Sequence, residues 1–172
     1  MKLVLNIMER INRILLKLEE IIMALASFGL LFAIFIQVVC RYLLKVPTPW
    51  AEELARYLFV LMSFVGSAYA LANSSHIEIN LIDQVVQKYF RNPIRMRRII
   101  EASGIILTIV FLCVFGVVFS EFLSNIARRG QASASMQIPM VYPMGSILVG
   151  TVLTTFHGVY LLLRQNWKGG AE

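Results

Sequence analysis

The sequence predicts an all-α integral membrane protein of four transmembrane helices, with amphipathic helices at the interface and both termini cytoplasmic. Three observations lead there. Of 172 residues, 58% are hydrophobic and 15% charged, with a mean hydropathy of +0.72, whereas soluble domains run near 45–50% apolar and about 25% charged. Four runs approach the ~20 apolar residues that a helix needs to cross a bilayer. The 16 basic residues are unevenly divided among the connections. A disordered chain fails the composition test on its opposite side, and two cysteines are too few for a disulfide-stapled scaffold.

Residues 1–20 carry Leu3, Ile7, Ile11, Ile14, Leu15 and Leu18 at helical spacing, with Glu9, Arg10, Arg13 and Lys17 between them. That pattern describes an amphipathic helix in the membrane interface. The first span, 21–42, has no charge from 21 to 40; it is too long for the apolar core of a signal peptide and lacks a small-residue cleavage site. The second, 54–73, is uncharged over 57–72. After it, Ile77, Leu81, Val85 and Tyr89 form a second amphipathic stripe, ahead of Asn92-Pro93 and the arginines at 95, 97 and 98. The plain reading of both stripes is anchoring at the lipid surface; the sharper one is a rim extending sideways to a partner. The third span, 99–120, is uncharged over 102–120, and the fourth, 138–163, is interrupted only by His157. In lipid, backbone groups must be satisfied within the segment, so these runs are helices; barrel strands would alternate apolar with polar. The chain is a single four-span membrane domain.

Charge sets the direction. The N-terminal segment, the middle connection and the C-terminus hold eleven basic residues, against five (Arg41, Lys45, Arg56, Arg128 and Arg129) on the other side, accounting for all sixteen. Basic residues stay in the cytoplasm, which puts both termini there. The net charge of +6 therefore implies topology and contact with anionic lipid headgroups, not nucleic-acid binding.

The spans offer little reactive chemistry. An ionisable group at the bilayer centre is costly and marks transport or proton chemistry, and none falls there. His157 lies toward the cytoplasmic end of the fourth span, where a histidine hydrogen-bonded between helices is the plain reading. His76 and His157 cannot supply haem axial pairs. Cys40 and Cys113 are not spaced as a metal or dithiol motif and are expected to be buried, inert thiols. No phosphate-binding glycine loop or serine-nucleophile motif occurs. Neither an enzyme nor a cofactor nor a metal site is expected.

Packing is better represented. Ser146, Gly150, Thr154 and Gly158 recur every four residues along the fourth span, Gly66, Ala70 and Ser74 along the second, and Gly104 with Thr108 and Gly116 with Ser120 along the third. Small residues let helix backbones approach closely, which drives association where lipid removes the hydrophobic force. Such faces hold the four helices together, and with several available, at least one is expected to meet another subunit.

The most specific stretch joins the first two spans: Arg41-Tyr42, then Pro47-Thr48-Pro49-Trp50-Ala51-Glu52-Glu53, then Arg56. Thr48 and Pro49 read as the N-cap and first position of a helix. Glu52 and Glu53 complement its dipole, and Glu52 pairs with Arg56 at i, i+4. Trp50 suits the interface. Arg41, Glu53 and Arg56 together are more charge than a cap requires.

Here the chain resembles the small membrane (Q-type) subunit of tripartite ATP-independent periplasmic (TRAP) transporters. That family has four spans, an Arg-Tyr ending the first, a Trp-x-Glu-Glu-x-x-Arg element opening the second and a His-Ile beyond it. Here these are Arg41-Tyr42, Trp50 to Arg56, and His76-Ile77. The resemblance implies an accessory subunit in a bacterial inner membrane that does not itself move solute. It would brace a large permease that performs sodium-driven uptake of an organic acid, of C4-dicarboxylate or sialic acid type, delivered by a periplasmic substrate-binding protein. Arg41, Trp50, Glu52, Glu53 and Arg56, with the Ser146, Gly150, Thr154, Gly158 stripe, are the expected partner-binding residues. The alternatives are a self-sufficient small transporter acting as a homo-oligomer, and a membrane adaptor unrelated to transport.

Overall fold

A computed structural model describes residues 2–73 and 93–169, the side chains at 2–5, 93–95, 97–98 and 165–169 excepted. His76, the stripe from Ile77 to Tyr89, Lys88 and Arg91 lie outside the described residues. Four helices make up nearly all of the rest: α1 (Lys2–Val39), α2 (Pro49–Asn73), α3 (Pro93–Arg129) and α4 (Val141–Gly169). Each includes a segment long and apolar enough to span a bilayer. Among the described residues the extended pairing is one isolated antiparallel bridge, Ala132 with Pro139.

Residues 1–20 were expected to form a helix of their own. Instead residues 2–20 run without a break into the first span, because no proline occurs in α1 and no glycine before Gly29. At 1.5 Å per residue α1 is about 57 Å long, well beyond the ~30 Å of a hydrocarbon core. It ends in a π turn over Cys40–Leu44, closed by Lys45 in the left-handed conformation (φ 55°). Pro49 starts α2 and Pro93 starts α3, where the missing N–H has no intrahelical acceptor to lose. Thr48 occupies the N-cap position, but its buried hydroxyl has no hydrogen-bond partner. The expected side-chain cap is not made; the Ala51 N–H bonds the Thr48 carbonyl at 3.1 Å.

Helix α3 ends in a Schellman motif around Gly130 (φ 58°). The Gly130 N–H reaches Ala127 O at 3.2 Å and the Gln131 N–H reaches Ile126 O at 3.4 Å, satisfying carbonyls that the helix end would orphan. The chain then folds back on itself: Ser133 N–H bonds Ile138 O at 2.8 Å and Met140 N–H bonds Gln131 O at 2.9 Å. These bonds engage Ile138 and Met140 on either side of Pro139, so α4 starts at Val141, three residues later than the apolar run suggests.

Helix α2 packs against both α1 and α4, while α3 packs on α4. The inside is built from small and polar residues and the outside from large apolar ones. On α1 the buried positions Asn12, Glu19, Ala26 and Ala33 recur every seven residues, the period of a coiled-coil seam. Its bulky residues turn outward: Phe28 is 75% exposed, and Ile14, Leu31, Phe32 and Phe35 are exposed as well. A soluble protein would invert this arrangement; in lipid the apolar side chains meet an apolar solvent and the small ones permit close helix contact.

Candidate functional site: a tied loop end and a buried histidine

The bundle has two ends. The connection after α1 and the one before α4 meet at one, and both described termini lie toward the other. Glu53 ties the loop end together. It sits one turn into α2, and its Oε2 accepts the backbone N–H groups of Ser135 at 2.9 Å and Met136 at 3.0 Å. Its Oε1 accepts the Tyr57 hydroxyl, one helical turn along, and Tyr57 Oη also lies 3.3 Å from Met140 Sδ. One carboxylate thus holds the tip of a loop more than 80 residues away in sequence, using charge-assisted bonds, the stronger kind. Sequence reasoning singled out Glu53 for the helix dipole and for partner binding, not for a tie to this loop. Tyr57 went unnoticed, although its i, i+4 spacing from Glu53 was the available signal.

Around this tie the other residues of the motif face outward. Glu52 Oε1 and Arg56 Nη2 form an exposed ion pair at 3.1 Å. Arg41 is exposed on the π turn, and Trp50 is partly exposed at the start of α2. Arg41, Trp50 and the Glu52–Arg56 pair therefore all belong to the solvent-accessible loop end, while Glu53 supports it from within.

The stripe on α4 faces inward. A Cβ added at Gly150 would stand 2.6 Å from Phe64 Cβ and 2.7 Å from the Phe64 carbonyl carbon, so only glycine lets α2 and α4 approach this closely. Gly158 meets Ile109 of α3, where a Cβ would lie 3.1 Å away. The hydroxyls of Ser146 and Thr154 donate to the carbonyls of Pro143 (2.6 Å) and Gly150 (2.7 Å) in their own helix. Gly150, Thr154 and Gly158 are buried inside the chain's own bundle.

At the other end His157 of α4 is fully buried. Its Nδ1 lies within hydrogen-bond distance of Asn12 Oδ1 at 2.7 Å, and its Nε2 lies 2.8 Å from Glu19 Oε1. It is a histidine bonded between helices, with partners that sequence reasoning missed: Asn12 and Glu19 went unremarked within the 1–20 segment read as an interfacial helix. Their seven-residue separation, in register with Ala26 and Ala33, was the available signal. Cys113 is exposed on α3, not buried as expected, because α3 covers only one of its faces with α4. Among the described residues no group of three potential metal ligands occurs.

The family described as tripartite ATP-independent periplasmic transporters, DctQ component, matches residues 30–166. The chain belongs to that family. This DctQ-family protein is 38% identical over 82 residues to the sialic acid TRAP transporter small permease protein SiaQ of Vibrio cholerae, covering 47% of each chain. It is 29% identical over 102 residues to the sialic acid TRAP transporter permease protein SiaT of Haemophilus influenzae, covering 58% of this chain and 15% of that protein. A third relative is the isethionate TRAP transporter permease protein DctMQ of Oleidesulfovibrio alaskensis, 30% identical over 97 residues that make up 55% of this chain and 14% of the relative. The match thus spans about half the length of SiaQ and a small part of the two longer proteins. As a DctQ member the chain is a transporter subunit, which is not an enzyme class. The π turn over Cys40–Leu44, the Glu53 tie and the buried histidine all lie within or against the matched region.

Proposed function

We propose that this protein is the scaffold subunit of a TRAP transporter that imports an organic acid, of sialic acid or C4-dicarboxylate type, into a bacterial cell. It lies in the inner membrane with both termini cytoplasmic, following the eleven-to-five division of its basic residues. It pairs with a large permease subunit that performs the sodium-driven movement, and it braces that subunit. The basic residues of the middle connection meet anionic headgroups. Its loop end faces the periplasm and helps to seat the substrate-binding protein through Arg41, Trp50, Glu52 and Arg56.

The observation that carries this reading is the Glu53 tie. By bonding Ser135 and Met136, it makes two separate connections one preformed surface, and preformed surfaces lower the ordering cost of docking. The α4 stripe is engaged inside the chain, so the permease is expected on the exposed faces of α1 and α3 instead. Co-purification in mild detergent tests the pairing: the expected result is a stable complex with a large membrane subunit. A chain that elutes alone, or that catalyses solute flux when reconstituted alone, would overturn it.

A further inference from the structure

Ahead of its charge-free stretch, α1 has three faces. Asn12 and Glu19 are buried against α4, and Glu9, Arg10, Arg13, Lys17 and Glu20 carry the charge. Between these faces Ile7, Ile11, Ile14 and Leu18 form an apolar stripe that is 41–60% exposed. The stripe advances by alternate steps of four and three residues, and the same spacing continues along the helix to Phe35. A seam of that period is what a second helix packs into, whereas lipid tails impose no period. Within the span the outward face is apolar beyond the seam too, with Ile22 and Ile34 exposed. Ahead of it, charge confines the exposed apolar residues to the seam.

The length of α1 carries this stretch past the lipid. The helix is about 57 Å long, and at the ~20° tilt usual in membranes it still spans about 54 Å, against ~40–45 Å for a bilayer with its headgroups. The surplus falls at the N-terminal end. A Cβ at Gly29 would meet Leu58 and one at Gly66 would meet Met23, and this antiparallel register sets Trp50, a residue suited to the interface, level with the last turn of α1. A lipid-surface anchor lies in the membrane plane, and the unbroken helix from Lys2 to Val39 does not turn into that plane. We propose, building on the pairing with a large permease subunit put forward above, that the stripe from Ile7 to Leu18 is where that subunit grips the cytoplasmic extension of α1. The occupant is an apolar helix of the permease. Exposed Arg10 and Lys17, seven residues apart, border one edge of the stripe, so the matching edge of the occupant carries carboxylates. The contact continues, outside the lipid, the α1 face assigned to the permease within it.

The test uses the full chain co-expressed with its large permease subunit in bacterial membranes. The photoreactive amino acid p-benzoylphenylalanine is placed at Ile11, at Ile14 or, on the charged face, at Glu20. Irradiation is expected to join the chain to the permease from positions 11 and 14, and several-fold less from position 20. Adducts to lipid alone, within the chain or to a second copy of it would overturn the proposal, as would equal yields from all three positions. In a second arm, Ile11→Ser combined with Ile14→Ser is expected to lower the co-purified permease several-fold while leaving the melting temperature of the chain purified by itself unchanged; undiminished co-purification would count against the grip. An unsubstituted chain that brings down no large subunit would overturn the proposed function and this contact together. Co-purification without cross-links at the stripe overturns the contact alone.

Discussion

At the scale of single residues, Glu53 and its neighbours Glu52 and Arg56 look alike in sequence and do different work. The Glu52–Arg56 pair is exposed on both sides, and such pairs contribute about 0.2–1 kcal/mol. Glu52→Ala is therefore expected to leave thermal stability nearly unchanged, so any loss of uptake in that variant reports docking directly. Glu53→Ala removes the acceptor for two backbone N–H groups and for Tyr57; uptake in a reconstituted complex is expected to fall several-fold, with proteolysis of the 131–140 loop accelerated. Tyr57→Phe keeps the two backbone bonds and is expected to lose less. Unchanged uptake in Glu53→Ala would remove the tie from any functional role. The acidic pair and its spacing to Arg56 were legible in the sequence because they are local. The partners of Glu53 were not, since no nearby residue encodes a contact 82 positions away.

Among the helices, hydropathy runs marked all four, because lipid acts as a uniform solvent and writes its requirement into contiguous sequence. Boundaries were less legible where hydrogen bonding competed with hydropathy: the run from Ile138 is apolar enough for a span, yet Ser133 and Gln131 bond Ile138 and Met140 around the Ala132–Pro139 bridge. Small-residue stripes were legible as packing faces but not as to their partners. Gly150 now has one, the Phe64 backbone. Gly150→Leu is expected to wedge α2 from α4, at a cost at or above the ~1–3 kcal/mol typical of overpacking, and to lower the melting temperature of the purified chain. Gly104, with nothing within 4 Å of an added Cβ, is the matched control: Gly104→Ala is expected to be tolerated. Equal effects at the two sites would contradict the α2–α4 contact.

For the molecule as a whole, the inside-out distribution of side chains and the uneven basic residues make one joint prediction. In a chain with Cys40→Ser and Cys113→Ser, a cysteine at Ser135 is expected to react with a membrane-impermeant maleimide added outside the inner membrane. One at Arg10 is expected to react only after permeabilisation; the reverse pattern would invert the topology. The split between the two ends has a further consequence, for the order in which the chain is made. Synthesis delivers α1 and α2 first, and they bring Asn12, Glu19 and Glu53 with them. The groups that satisfy these three, His157 and the Ser135–Met136 backbone, arrive only with the last quarter of the chain. Until then the first hairpin holds unmatched polar groups, costly wherever they face lipid. A chain stopped short of α4 therefore leaves the membrane's quality control a chemical mark of its incompleteness, and the arrival of the final helix erases it.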